Sequence, residues 1–502
     1  MLLILSAITV SVLLYIYIKW KYAYWKSKGV VQPEPEFPFG NFKATILKKM
    51  TFEDTASIYY KTYKNSHKYV GLYMFTVPIW LVTDLALIKR ILQPDFQHFT
   101  DHFSFHHESQ ILTNHLFSIR GEKWRTMRAK LTPTFTTGKI KMMFNNVYDL
   151  SKKLESSVKQ NHVINPKTVS IRDTVARFAT DVIASCAFGL ETNCIENPDA
   201  EFRKYGKRAF HPNKLRILEQ IVNWNLLAAM GYVRFPADAT NFFMDVVKKT
   251  VAYREKNNVR RNDFVDLLLQ LKNKGKLEDG GDISKTDQGT ITDNDVAAMM
   301  FIFYLAGFDT SSSTTSFLFY ELASHQEIQR KLRQEVREVT AKYGGKLTYE
   351  ALQDMHYAQM CIDETLRLYP SAPVLTRVCS KTYQVPESDL VIEKGTQVII
   401  PAVAIQRDPD IYPNPDEFNP ENFIEEKRKD RISSTWLPFG DGPRQCIGMR
   451  FGYMQVKLSI AALLGNFQYS LHESTPKKLE FMLDVLTLHP EKEILLNVSR
   501  VD

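Results

Sequence analysis

One decamer constrains this chain more than any other stretch: Phe439-Gly440-Asp441-Gly442-Pro443-Arg444-Gln445-Cys446-Ile447-Gly448, followed by a helix-forming run from Met449 to Leu464. It sets a single cysteine in a glycine-rich loop at the start of a helix. Unpaired amides and the dipole at a helix N-terminus favour a thiolate over a thiol. Glycines let the backbone close under the sulfur with its amides turned inward. A lone thiolate held this way is a nucleophile or a metal ligand, whereas a buried free cysteine is the ordinary alternative. The spacing Phe-x-x-Gly-x-Arg-x-Cys-x-Gly arises by chance with a frequency on the order of one in ten thousand for a chain of this length.

The decamer resembles the haem-binding loop of the cytochrome P-450 superfamily, the haem-thiolate monooxygenases. The resemblance implies that Cys446 is the axial ligand of haem b, its thiolate pushing electron density towards O–O cleavage. Phe439, Arg444 and Gly448 would share the same cofactor-binding loop.

Composition narrows the alternatives. The chain has 502 residues, 44% hydrophobic, enough for a large core. Its five cysteines include no Cys-x-x-Cys pair, which argues against a disulfide framework or zinc site and for a reducing compartment. A net charge of +8 suits an anionic membrane or acidic partner but is too diffuse for nucleic acid.

The chain divides into an N-terminal membrane anchor (1–20), a basic and Pro-rich linker (21–40) and a catalytic domain (41–502). Leu2 to Ile18 is uncharged and rich in Leu, Ile and Val. At about 1.5 Å per residue it nearly crosses a hydrocarbon core of roughly 30 Å, and Trp20, Tyr22 and Tyr24 extend it into the interface. Lys19, Lys21, Lys26 and Lys28 follow it, so the remainder is expected on the cytosolic side. The segment lacks the basic start and small-residue cleavage site of a signal peptide. Pro33, Pro35 and Pro38 stiffen the exit.

Residues 69–83 read as a strand pair, Tyr69–Phe75 and Ile79–Val82. Phe96 to Phe117 interleaves phenylalanines with His98, His102, His106, His107 and His115 without a clear period, which predicts a loop with short helices and solvated histidines rather than a zinc site. Lys123 to Leu131 is a short helix that puts Trp124 and Arg128 on one face, where an indole N–H and a guanidinium can hold a carboxylate. In the resembling family that face binds a haem propionate.

Residues 141–260 read as long amphipathic helices, with the apolar patch Leu226-Leu227-Ala228-Ala229-Met230 as core or as a second membrane contact. The segment Tyr253 to Phe264 resembles the insect microsomal, xenobiotic-metabolising branch. Gly275 to Gly289 is a polar loop. Thr292-x-x-Asp295 is a capping box that opens a central helix reaching about Ser324. Its apolar stretch Val296–Phe308 is too short to span a membrane, so the helix belongs to the core. Within it, Gly307 and a back-bonded Thr310 are expected to open the helix ladder and admit water. By the resemblance, Asp309 and Thr310 are the catalytic acid–alcohol pair that relays protons.

Glu364 and Arg367 stand at i, i+3 on one helix face and resemble the family's buried structural pair. Where the family adds an arginine, this chain has Asn422, which cannot supply that charge. Arg377 resembles a further propionate-binding arginine. Candidate pocket residues are Phe103, Phe117, Ile302, Leu305, Ala306, Ala372, Leu375 and Leu486. The implied fold is mainly α with a small β-sheet region, the cytochrome P-450 fold behind an N-terminal transmembrane helix. The implied reaction inserts one oxygen atom of O2 into a small apolar substrate, a plant toxin or insecticide. NADPH–cytochrome P-450 reductase is the expected electron donor, with cytochrome b5 as a second one, at the endoplasmic reticulum membrane. A steroid- or hormone-biosynthetic monooxygenase, a haem-thiolate isomerase or dehydratase, and a haem carrier are the competing readings. Lys123, Arg125, Lys130, Lys139 and Lys141 form the expected docking face for the reductase.

Overall fold

The computed structural model describes residues 1–164, 168–210, 215–261, 263–277, 290–483 and 487–501. Leu486 and most of the polar loop expected at 275–289 lie outside them.

The chain begins with a helix over Leu2–Lys21 that is only 6% buried in its most apolar window, long and apolar enough to cross a membrane. The stretch after it packs down at once. Trp25 is fully buried, with its Nε1–H donating to the Leu72 carbonyl at 3.0 Å. Tyr22 accepts from the Gly40 amide at 3.0 Å. A Cβ at Gly71 would lie 2.2 Å from the Trp25 ring, so the strand needs a glycine where the indole rests.

That strand is β1 (Tyr69–Met74), antiparallel to β2 (Val77–Val82). β2 pairs in parallel with β4 (Gln397–Ile400), and β4 pairs antiparallel with β3 (Leu375–Val378), giving the sheet order β1-β2-β4-β3. The period of two sorts the side chains. Val70, Leu72, Ile79, Leu81 and Ile399 pack on one face, while Tyr73, Trp80, Val82, Val398 and Ile400 join Trp25 on the other.

Helices build the larger core around the central helix, Asp293–Ser324. Its N-terminus carries the expected capping box, Thr292 accepting from the Asp295 amide at 3.1 Å and Asp295 from the Thr292 amide at 2.9 Å. This helix also passes the length and hydropathy test for a membrane span, but 72% of that window is buried, as suits a core element. It packs on the helices Ile171–Ile183 and Met449–Leu464. The expected strand pair and the loop with short helices over 96–117 are both present. Two of the histidines there are not solvated, however. His102 and His115 are buried, His102 stacked on Phe117 with ring centroids 4.3 Å apart, while His98, His106 and His107 stay partly exposed.

Candidate functional site

The decamer closes as a tight loop. The Cys446 amide donates to the Phe439 carbonyl at 2.8 Å, and Gly448 is the N-cap of the helix Met449–Leu464. Gly442 has φ +68°, and a Cβ there would meet the Leu92 carbonyl oxygen at 1.8 Å. Both the left-handed backbone and the close approach therefore require glycine. The Cys446 side chain is exposed at the surface of its loop, yet the protein packed around it pushes the thiol above its ordinary value, opposed by the Gly448 amide and the Arg128 guanidinium. The Gly448 amide and the Arg128 guanidinium both act in favour of the thiolate, and a bound metal ion would act the same way.

Around this loop four arginines converge. Trp124 and Arg128 come from the helix Gly121–Leu131, whose N-cap is Arg120. Arg377 is placed by β3, opposite Val398 of β4. Arg444 comes from the decamer; its guanidinium sits 4.1 Å over the Trp124 ring and donates to the Thr100, Leu116, Phe117 and Ile119 carbonyls. Burial pushes Arg377 down to about 10 and Arg444 to about 9, the latter also through repulsion by Arg377, Arg128 and Arg120. The carboxylates acting on this group are Asp101 and Asp441. Four guanidiniums against two carboxylates leave a formal surplus of two positive charges. The buried Trp124 Nε1, Arg120 Nε and Arg377 Nε also have no protein hydrogen-bond partner. Buried donors without acceptors are costly. This donor set therefore fits a ligand bearing two carboxylates. Arg120 was not among the residues read from sequence, although its spacing of four from Trp124, and of eight from Arg128, was legible.

The central helix crosses the Met449–Leu464 helix where a Cβ on Gly452 would lie 4.0 Å from Ser311 Oγ, one residue beyond Thr310. Its neighbours are buried, but Ile302, Leu305 and Thr310 are partly open and Ala306 is exposed. Spaced at i, i+3, i+4 and i+8, they form one apolar face ending in a hydroxyl. Thr310 Oγ1 donates to the Ala306 carbonyl at 2.6 Å, as expected. The ladder itself is unbroken, and Gly307 has a different reason. A Cβ there would lie 2.3 Å from Ile183 Cδ1, so it permits close helix packing.

Asp309 departs from the simple acid–alcohol pair. It is buried, and its oxygens are held by Thr487 and His489 rather than turned towards Thr310. Phe103 packs on Trp224 at 5.6 Å, and Leu375 is 8% exposed, leaving little of Leu375 for a ligand. Ala372 is partly buried beside the sheet core, and Phe117 is exposed. The docking face is also revised. Lys130 and Lys139 are buried, whereas Lys123, Arg125 and Lys141 are exposed, Arg125 paired with Glu122 and Lys141 with Glu350.

Glu364 and Arg367 are fully buried and bidentate, at 2.7 and 2.8 Å. Asn422 completes the group as a neutral donor, its Nδ2 3.2 Å from Glu364 Oε1.

The whole arrangement is that of a known group of proteins. The family model described as Cytochrome P450 matches residues 33–497. The chain belongs to the cytochrome P450 family. It is 40% identical to "Probable cytochrome P450 6a21" of Drosophila melanogaster over 97% of both chains. To "Cytochrome P450 6k1" of Blattella germanica it is 39% identical over 94% of this chain and 92% of that one. To "Cytochrome P450 6A1" of Musca domestica it is 39% identical over 97% and 95%. It is a monooxygenase of the insect type, and membership implies haem held by a cysteine thiolate.

Proposed function

We propose that Cys446 is the thiolate ligand, that Trp124, Arg120, Arg128, Arg377 and Arg444 hold the haem propionates, and that the enzyme oxidises apolar xenobiotics such as plant toxins or insecticides. The observation that carries this is the pairing of an anion-short arginine cluster with an open apolar face on a core helix, both beside one cysteine loop. When bound, haem supplies the activation of O2.

The chain's own residues supply the rest. Ile302, Leu305 and Ala306 offer an apolar wall that binds substrate by excluding water. Thr310 presents a hydroxyl at the end of that wall, already oriented by its bond to the Ala306 carbonyl. Electrons come from NADPH–cytochrome P450 reductase, with cytochrome b5 as a second donor. The docking face is centred on the exposed Lys123 and Arg125. The helix Leu2–Lys21 anchors the enzyme in the endoplasmic reticulum membrane with residues 41–502 as the cytosolic catalytic domain. Leu226 and Met230, both exposed, extend the membrane contact.

The test is the spectrum of the reduced carbon-monoxide complex. The parent should show the red-shifted Soret band of thiolate ligation, and Cys446→Ala should lose it, while substitutions at Cys186, Cys194, Cys361 and Cys379 should not. Retention of the band in Cys446→Ala would overturn the ligand assignment. Product analysis with reductase across plant toxins, insecticides and steroids tests the substrate class; turnover of steroids alone would overturn it.

A further inference from the structure

Arg120 stands where a cation is disfavoured. The helix Gly121–Leu131 starts from it with no side-chain capping bond, and its guanidinium is carried at the positive end of the helix dipole. Its buried Nε has no protein partner. The carboxylate acting on it is Asp101, whose Oδ1 already accepts from the Gly121 amide at 2.9 Å and lies 3.8 Å from Arg444 Nη2. Charge within the cluster therefore does not account for where this guanidinium sits.

What covers it comes from a distant part of the chain. The guanidinium carbon lies 4.2 Å from the ring centroid of Trp224. An indole face is the best aromatic seat for a cation. Trp224 opens the short helix Trp224–Ala229, which also bears the exposed Leu226. Its ring is fixed from several sides. Nε1–H donates to the Glu219 carbonyl at 3.0 Å, and the rings of Phe103, Phe105 and His106 stand 5.6, 5.5 and 6.1 Å away. Gln110 ties the same two segments again, donating from Nε2 to the Tyr232 carbonyl at 2.7 Å and accepting from the Arg234 amide at 2.9 Å. The indole is thus a held plate, and the long arginine stem is the partner with rotamer freedom to lose.

We propose that Trp224 is the positioning residue that holds Arg120 in the cluster receiving the haem propionates, so that seating of the segment 216–234 and retention of the cofactor are coupled. The proposal rests on the reading of that cluster as the propionate site. Coupling of this kind is reciprocal. What removes the indole loosens the cofactor, and what removes the guanidinium loosens the segment.

The measurement is the rate at which the ferric, full-length holoenzyme loses haem to excess apomyoglobin. Trp224→Leu keeps apolar bulk but no π face, and should lose haem about fivefold faster than the parent. Trp224→Phe keeps a ring without the indole N–H, and should stay within about twofold of the parent. Arg120→Gln should also speed haem loss, and adding Trp224→Leu to it should change nothing further. In resonance Raman spectra the propionate bending mode should shift in Trp224→Leu and Arg120→Gln alike, a signature that slackening of a distant segment alone does not produce. The reciprocal arm is amide hydrogen exchange of residues 219–227, which should be about fivefold faster in the Arg120→Gln holoenzyme. That arm stands even if Trp224→Leu folds poorly.

Haem loss at the parent rate in Trp224→Leu overturns the proposal. So do fully additive effects in the double variant, which would make Trp224 a packing residue of its own segment. Arg128→Gln is scored separately. If it leaves haem loss at the parent rate, the propionate reading of the cluster falls and the proposal with it. If it speeds haem loss while Trp224→Leu does not, the role of Trp224 alone falls.

Discussion

Gly440 and Gly442 share a φ of +68° but not the same surroundings, and this separates two costs of a side chain. Nothing lies within 4 Å of a Cβ at Gly440, whereas at Gly442 it would meet the Leu92 carbonyl oxygen at 1.8 Å. Gly440→Ala should cost about 1–2 kcal/mol through backbone strain alone. Gly442→Ala should cost more, because the main chain at Leu92 must also move. Chemical denaturation of the two variants checks this, and equal losses would refute the packing argument. Buried charge gives a second expectation. Burial pushes Lys457 down to about 8, while an unfolded chain holds the lysine proton to about 10.4. Between those values the unfolded state binds more protons, so this residue makes stability rise as pH increases above 8. Lys457→Met should flatten that rise, measured as melting temperature from pH 7 to 9.5. The decamer, the Trp124–Arg128 spacing and the Glu364–Arg367 pair were legible in sequence because each is local. Thr487 and His489 were not, because they reach Asp309 across about 180 residues and share no periodicity with it.

Helices explain the insect-type segment from Tyr253 to Phe264. It joins the helix Ala237–Asn257 to the helix Phe264–Lys274, and its centre is a buried bidentate pair, Arg254 to Asp263 at 3.1 and 2.6 Å. Asp263 also caps the second helix through the Asp266 amide. Arg261 donates to the Gly189 carbonyl, tying in the end of a third helical stretch. The sequence marked the segment as characteristic without showing what it does, because its partners come together only on folding. Removing one member of a buried pair typically costs about 3–5 kcal/mol, since the other is left charged and unpaired. Arg254→Ala should therefore destabilise by that order in denaturant titration. Arg260→Ala, at a more exposed pair with Asp266, should change stability by less than about 1 kcal/mol.

At the scale of the whole molecule, the N-terminal residues fall into two groups. Residues 2–17 are exposed, while Tyr22 and Trp25 belong to the core of the sheet. Deleting residues 2–20 should leave the melting temperature of the catalytic body nearly unchanged. Deleting 2–30 should lower it sharply, because burial of an aromatic of this size is worth about 3–5 kcal/mol. Similar melting curves for the two truncations would show that the Trp25 seat contributes little.

The early docking of Tyr22 has a geometric consequence. Only Lys19, Trp20 and Lys21, all helical, separate Ile18, the first buried residue of the anchor helix, from Tyr22, so there is no slack between anchor and body. A body fastened so closely cannot swivel freely beneath a bilayer. It would ride at one height and one tilt, and a fluorophore on its surface should report slow, restricted tumbling rather than the free wobble of a tethered sphere.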